Sequence, residues 1–258
     1  QKKFYVPNNS ALILAGDVTP DQAFELARKH FGAWKKGADP FKLDPVPKHP
    51  PIKKTEAIIV NQQVQRVTVM LGFHGPSVGK DPAATYAADV FSFILAQPSS
   101  AFQKALVESG ITLRAGVSYY TLNHTGPITV LFETTPDKLD QAIAAIKEEV
   151  RKFDDKDYFT DAQVETAKTL LAVSNLYDRE KTSSFAHTVS FWWAVAGLDY
   201  YLGYIDNLKK VTRQDMARYV KRYILGKPYV MAIMINPETQ KAIGLTEAKA
   251  KTMAKVIR

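Results

Sequence analysis

Residues 37–54 contain five prolines, and this is the feature that most restricts how the chain folds. The stretch reads GADPFKLDPVPKHPPIKK and shows neither helical nor strand periodicity. Because proline lacks a backbone N–H and fixes its own φ angle, such a density favours an extended connector. We therefore predict a first part over 1–36, a linker over 37–54, a second domain over 55–236 and a basic tail over 237–258.

The first part has the signals of one strand followed by one helix. The apolar run over 10–16 has the length of a buried strand. Thr19 and Gln22 have the spacing of a capping box, and Pro20 suits the first helical position. Gly32 is a typical helix end, so we predict a helix from Pro20 to about Gly32.

This opening strand resembles a later part of the same chain. Residues 3–15 and 221–233 both run from a basic residue through an aromatic and a turn into an apolar strand. If the similarity reflects a repeat, the chain holds one nearly complete copy and only the last strand and helix of another. We therefore expect the remainder of the first copy to lie upstream of Gln1.

The second domain mixes strand-like runs with amphipathic helical stripes, and tight turns join neighbouring strands. It has no GxGxxG motif and no regular alternation of strand and helix. The pattern predicts an α+β fold with a mainly antiparallel sheet covered by helices, preceded by the terminal strand and helix of a first, incomplete domain. The predicted strands of the second domain are 55–60, 66–76, 111–122, 127–134 and 229–236.

Composition limits the kinds of site that the chain can build. It has no cysteine, which excludes disulfides and thiolate metal sites. Its net charge is +8, but the basic residues are dispersed, so we expect a solvated basic surface and no nucleic-acid partner. No apolar run reaches the roughly 18 residues that span a bilayer.

Several stretches together carry a resemblance to a known family. They are FYVPNNSALILAGDVTPDQAFELARKHFGAW before the linker, then QRVTVMLGFHGP, SSAFQKALVESGI and PITVLFETTPDKLDQAIAAI after it. This order resembles the insulinase/pitrilysin-type zinc metallopeptidases, which include the mitochondrial processing peptidases and bacterial zinc proteases. The resemblance covers residues 1–240 and implies a repeated α+β domain.

The resemblance also implies a zinc peptidase with an inverted His-x-x-Glu-His motif in its first domain. In that motif two histidines on one helical face bind the zinc, and the glutamate acts as general base on the bound water. The histidines of this chain are too dispersed to form it; they are His30, His49, His74, His124 and His187. We therefore expect no catalytic residue and no metal ligand here, with zinc bound by the intact family member.

In active family members the second domain often supplies an arginine and a tyrosine, about seven residues apart, that stabilise the developing oxyanion. The matching positions fall near Val107 and Leu113, which are apolar, so the pair is absent. Arg114, Tyr119 and Tyr120 lie nearby on a predicted strand. They are either substitutes that contact substrate or ordinary strand residues, and the sequence leaves both interpretations open.

The resemblance implies the non-catalytic C-terminal portion of such a peptidase, forming a wall of a peptide-binding chamber and inactive alone. Its partners would be a peptide or protein substrate and the missing N-terminal catalytic half, or a separate subunit with His-x-x-Glu-His; a homo-oligomer is also possible. The alternative is a non-enzymatic structural subunit, like the core proteins of respiratory complexes that resemble the same family. The sequence leaves the compartment undetermined, although a bacterial origin would favour the periplasm.

Overall fold

A computed structural model describes residues 3–258 and confirms an α+β fold with a mainly antiparallel sheet. The strands are β1 (Glu56–Asn61), β2 (Val67–His74), β3 (Arg114–Tyr119), β4 (Pro127–Thr134) and β5 (Val230–Ile235). Their order across the sheet is β1-β5-β2-β4-β3. Only β1 and β5 are parallel, whereas every other neighbouring pair is antiparallel.

Alternation along the strands gives the sheet one buried and one open face. Val69 and Leu71 of β2 are buried, whereas Met70 between them is 40% exposed. Phe132 of β4, directly opposite Val69, is fully buried as well. Because successive side chains of a strand point to opposite faces, the hydrophobic core lies on one side of the sheet only.

The helices account for most of the remaining chain. They are α1 (Pro20–Phe31), α2 (Pro40–Leu43), α3 (Pro82–Ala96), α4 (Ala101–Gln103), α5 (Leu139–Arg151), α6 (Asp161–Tyr177), α7 (Thr182–Val195), α8 (Leu198–Leu202), α9 (Tyr204–Lys209), α10 (Arg213–Tyr223), α11 (Pro237–Ala242) and α12 (Glu247–Met253). A π-helical turn over Lys104–Glu108 extends α4. Within residues 3–258, no helix combines the length and the apolar character needed to cross a membrane.

Capping residues begin several helices where the sequence predicts them. The hydroxyl of Thr19 accepts from the Gln22 N–H, and the Gln22 side chain accepts from the Thr19 N–H, which completes the predicted capping box. Ser100 likewise accepts from the N–H of Gln103. The amide of Gln103 instead donates to the carbonyls of Leu95 and Ala115, so this helix start has no reciprocal capping bond.

The predicted strand over 10–16 is wrong, because these residues form neither a helix nor a strand. Leu12 and Leu14 are 54% and 51% exposed. A strand is stable only when its N–H and C=O groups pair with a neighbour, and none of the five described strands pairs with this segment. The segment is apolar, as predicted, but no described strand pairs with it, so it is not part of the sheet.

The basic tail over 237–258 forms α11 and α12. Apolar side chains of this segment are buried; they are Leu245, Ala250, Ala254 and Ile257. The Nζ atom of Lys147 on α5 donates to the carbonyl of Met253, and Lys249 forms an ion pair with Asp140 of α5. These contacts bind the tail to the domain that carries the sheet.

The described residues divide into two compact units. The first unit consists of the described residues up to His49 together with Val173–Leu202. The second unit consists of Pro50–Ala172 and Gly203–Arg258, and it contains the entire sheet.

The connection between the first residues and the sheet is expected to be the most protease-sensitive segment. From Asp44 to Thr55 the chain forms no helix or strand, and nearly all of it is exposed. Limited trypsin digestion should therefore cut first between Lys35 and Lys54, and mass spectrometry of the fragments would locate the cut. Lys147, half-buried on α5, is the internal control; an earlier cut there would contradict the expectation.

Candidate functional site

The open face of the sheet presents a row of small and apolar side chains across all five strands. The strand register places Ile58, Ala232, Met70, Leu131 and Gly116 side by side. Ile58 is 49% exposed and Met70 is 40% exposed. Because this row is apolar and accessible, it is the part of the described second unit best suited to contact an extended apolar ligand.

The structure brings only two of the three predicted contact residues to this face. Arg114 and Tyr120 lie on the open side of β3 and just beyond its end, and both are exposed. They are six residues apart, which corresponds to about 20 Å along an extended chain. Tyr119 is an odd number of positions from both residues along the strand, so its side chain points to the opposite, covered face. The three residues therefore do not form one cluster.

Tyr119 packs into the covered side of the sheet. Its hydroxyl donates to the carbonyl of Pro76 at 3.0 Å. Burial raises the pKa of the Tyr119 hydroxyl, and the nearby Asp89 adds to this increase. A neutral, hydrogen-bonded phenol in this position stabilises the loops at the end of the sheet.

Two arginines share one carboxylate at one end of the open face. The guanidinium of Arg114 donates to Glu133 at 2.7 Å, and Arg66 lies 3.6 Å from the other oxygen of Glu133. The hydrogen bond from Arg114 is the main reason why the pKa of the Glu133 carboxyl is lowered. Both arginine side chains are largely exposed, so this end of the face carries one uncompensated positive charge.

The positions that correspond to the family's Arg–Tyr pair have no hydrogen-bonding side chain. Val107 is on the π-helical turn after α4, and Leu113 lies just before β3 with 46% of its surface exposed. An aliphatic side chain cannot donate to an oxyanion, so neither residue performs that role.

The donor set of the described residues does not fit a zinc site. Within residues 3–258, no three side chains of His, Cys, Asp or Glu lie close enough together to bind one metal ion. The histidines lie on separate elements, for example His30 on α1 and His187 on α7. No step of zinc chemistry is therefore assigned to residues of this chain.

A buried carboxyl group is the most perturbed acid of the second unit. The carboxyl of Asp89 on α3 is buried, although the residue as a whole keeps some exposed surface. Burial raises its pKa to about 7, and the hydrogen bond donated by Tyr204 at 2.7 Å opposes the increase. Asn207 donates to Tyr86 beside it, so polar contacts join α9 to α3.

Sequence reasoning missed Glu133, Gly116 and Asp89. Glu133 interrupts the apolar strand PITVLFET, and only the register with β3 shows that it meets Arg114. Asp89 is the one charged residue of helix α3, whose other residues are mostly apolar, and this is a signal that the sequence does contain. Apart from Gly116 itself and its two chain neighbours, no residue has an atom within 4 Å of the position that a Cβ of Gly116 would occupy, which only coordinates can show.

A comparison with known protein families identifies the family of this chain. Residues 1–171 match the family described as the peptidase M16 inactive domain, which is more than half of the chain. The chain belongs to the peptidase M16 inactive-domain family. The predicted resemblance to insulinase-type metallopeptidases is thereby confirmed. No curated protein sequence matches the chain.

Solved structures share the M16 fold at low sequence identity. A protease from Helicobacter pylori has a TM-score of 0.71 and 20% identity, covering 86% of this chain and 54% of that one. The peptidase M16 inactive domain from Pseudomonas fluorescens has a TM-score of 0.66 and 15% identity, covering 85% and 51%. A chain of complex III from Candida albicans has a TM-score of 0.60 and 12% identity, covering 78% and 49%. The M16 chain thus spans about half the length of these structures.

The first unit of this M16 chain exposes an unusual amount of apolar surface. It holds eighteen of the 24 large apolar side chains that are exposed in residues 3–258. Its buried apolar side chains in the same range are Pro40, Tyr200 and Tyr201. On α1, Phe24 and Phe31 share one face and are 62% and 52% exposed. Such a surface is typical of a protein–protein interface.

Proposed function

We propose that the chain is the non-catalytic C-terminal portion of an M16 zinc metallopeptidase, and that its open sheet face forms one wall of a peptide-binding chamber. The observation that carries the proposal is the exposed apolar surface of the first unit. Apolar area of this extent is costly in water, at about 25 cal/mol per Å². The surface therefore favours a chain that functions only when a second domain or subunit covers it.

The proposed partner carries the His-x-x-Glu-His motif, either on the same polypeptide or on a separate subunit. That partner would bind the zinc whose activated water hydrolyses the peptide bond. The segment over 10–16 and the Phe24–Phe31 face of α1 are the parts of this chain that we expect it to cover. An apolar segment without a strand partner and a helix with an exposed apolar face gain backbone pairing and apolar burial when a partner supplies a sheet.

Reconstitution tests the proposal directly. The chain would be mixed with the His-x-x-Glu-His polypeptide encoded upstream of it or by a neighbouring open reading frame. We expect chelator-sensitive peptide cleavage from the mixture and none from the chain with zinc. The double substitution Phe24→Ser and Phe31→Ser should weaken association at least tenfold, because each buried phenylalanine contributes about 1.5–3 kcal/mol.

Leu26→Ser is the matched control for that double substitution. Leu26 is also on α1 and 51% exposed, but it lies about 200° around the helix from Phe24. We expect it to leave the association unchanged. Chelator-sensitive cleavage by the chain alone would contradict the proposal, and so would equal loss of association in control and double variant.

A structural subunit without peptidase activity is the second candidate. The similarity to a chain of complex III from Candida albicans favours it. In that case the protein that co-purifies with the chain would lack His-x-x-Glu-His, and the complex would cleave no peptide. Mass spectrometry of the co-purified partner distinguishes the two candidates.

A further inference from the structure

Residues 255–258, which follow α12, form neither a helix nor a strand, yet hydrogen bonds fix their backbone. The hydroxyl of the buried Tyr229 donates to the carbonyl of Lys255 at 2.9 Å. Two residues later, the carbonyl of Ile257 accepts from the N–H of Gly226 at 2.8 Å. Because Ile257 is itself fully buried, the segment presents its exposed side chains from a fixed position.

These side chains line a shallow recess of about 550 Å³, whose lining carries three cations and no carboxylate. The recess lies beside Thr55, the residue before β1. The hydroxyl of Thr55 accepts from the N–H of Tyr229 at 3.4 Å and keeps its own hydrogen to donate. The lining residues are Thr55, Lys251, Ala254, Lys255, Val256 and Arg258. A recess of this size whose polar side chains are cations and a hydroxyl suits a small anion.

Most of the positive charge in the recess is not balanced by the protein. Lys251 lies 3.7 Å from the carboxylate of Glu247, and both side chains are largely exposed. Within residues 3–258, no carboxylate forms an ion pair with Lys255 or Arg258. Two of the three cations of the recess therefore lack a counter-charge.

Two further cations on α5 lie close to the same segment. Lys147 donates to the carbonyl of Met253 at 2.9 Å, and Arg151 follows one helical turn later. Burial lowers the pKa of the Lys147 ammonium, and the charges of Arg151 and Lys255 lower it further. Arg151 is paired with Glu148, but no carboxylate in the described part of the chain pairs with Lys147. Repulsion among these like charges costs free energy, which a bound anion would offset.

We propose that this recess binds a small phosphate-bearing anion, held by Lys255 and Arg258 with Lys251 at its rim. A phosphate group carries about two negative charges near pH 7 and offers three acceptor oxygens, so one group balances both unpaired cations. A carboxylate balances only one of them. The inference is separate from the proposed function, because binding needs neither zinc nor a partner and uses no residue of the first unit or of the open sheet face.

The surroundings of the recess favour a small anion over a nucleic acid or an acidic polypeptide. Lys54, beside Thr55, pairs with Glu56 at 2.9 Å, and Lys249 on α12 pairs with Asp140 at 2.8 Å. A long polyanion requires a continuous track of available cations. Because these neighbouring cations are paired within the protein, the charges favour a ligand no larger than the recess.

Isothermal titration calorimetry of the full chain with pyrophosphate tests the inference, at an ionic strength held constant with sodium chloride. We expect one pyrophosphate to bind per chain, and acetate to bind at least about tenfold more weakly. Lys255→Gln should weaken pyrophosphate binding about threefold or more, and the double variant with Arg258→Gln about tenfold or more. Lys255→Gln keeps the backbone carbonyl that accepts from Tyr229, so the segment should remain in place.

Lys241→Gln is the matched control. It removes the same charge from an exposed lysine on α11 that does not line the recess, so we expect unchanged affinity for pyrophosphate. Circular dichroism would verify that each variant is folded. Equal weakening by Lys241→Gln and Lys255→Gln would overturn the inference, because the anion would then respond only to net charge.

Thermal unfolding of the wild-type chain gives a second measurement that needs no variant. A ligand that binds the folded chain raises its Tm by mass action, so pyrophosphate should raise the Tm more than acetate does at the same ionic strength. Neither a heat of binding nor such an increase at millimolar pyrophosphate would overturn the inference. Tighter binding of an oligonucleotide or of hexaglutamate, lost in Lys255→Gln, would also overturn it, because the recess would then serve a macromolecular partner.

Discussion

Replacing Asp89 by asparagine is expected to abolish most of the pH dependence of stability between about pH 4 and pH 7. Burial raises the pKa of the folded-state carboxyl from 3.8 to about 7. Below a pH of 3.8 the carboxyl is neutral in both the folded and the unfolded chain, so its burial costs no free energy of ionisation. As pH rises through this window, the unfolded chain loses its proton while the folded chain retains it, so stability falls.

The expected size of this effect is large for one side chain. A difference of about three pKa units corresponds to at most about 4 kcal/mol of unfolding free energy, lost by pH 7 and constant above it. Asp89→Asn has no charge to bury, and its amide oxygen can still accept from Tyr204. Urea unfolding at several pH values should therefore show a variant similar to wild type near pH 4 and more stable at pH 8.

Tyr204→Phe provides the complementary variant. The hydrogen bond from Tyr204 lowers the pKa of Asp89, so its removal should move the loss of stability to higher pH. If Asp89→Asn followed the wild-type pH profile, Asp89 would not be the titrating group. Another residue would then cause the pH dependence of the unfolding free energy.

Local signals in the sequence predicted much of the fold. Strand β2 alternates buried residues with more accessible ones, and α1 begins with a capping box at Thr19, so each is specified by residues close in the chain. Residues 10–16 have the same kind of strand signal but form no strand. An apolar run predicts burial, and only a neighbouring strand converts it into part of a sheet.

The candidate site was less predictable because it depends on strand register. Successive side chains of a strand alternate between the two faces of the sheet. Once the strand is known, odd-numbered Tyr119 is therefore expected on the face opposite to even-numbered Arg114 and Tyr120. The approach of Arg114 to Glu133, by contrast, joins residues nineteen positions apart. β1 and β5 are the first and last strands in chain order, and no local sequence signal predicts that they pair.

Phe91→Ala is expected to cost about 3–5 kcal/mol of unfolding free energy, the range for a buried phenylalanine. Phe91 on α3 is fully buried, with its ring edge-on to Phe153 at 5.1 Å, Tyr219 at 6.1 Å and Phe159 at 6.2 Å between centroids. Removing the ring deletes these contacts and leaves a cavity between α3 and α10. Thermal and urea unfolding would measure the loss, and a loss below about 1 kcal/mol would show that the core closes around the gap.

Phe24→Ala is the matched control, because the same substitution is made on an exposed residue. Phe24 is 62% exposed, so the isolated chain should lose no more than about 0.5 kcal/mol. Association with the His-x-x-Glu-His partner should nevertheless weaken, since the ring belongs to the face of α1 that the partner is proposed to cover. Phe91 would then stabilise the fold, and Phe24 would stabilise the assembly with the partner. If Phe24→Ala destabilised the isolated chain as much as Phe91→Ala, α1 would be packed within the chain and would not be available to a partner.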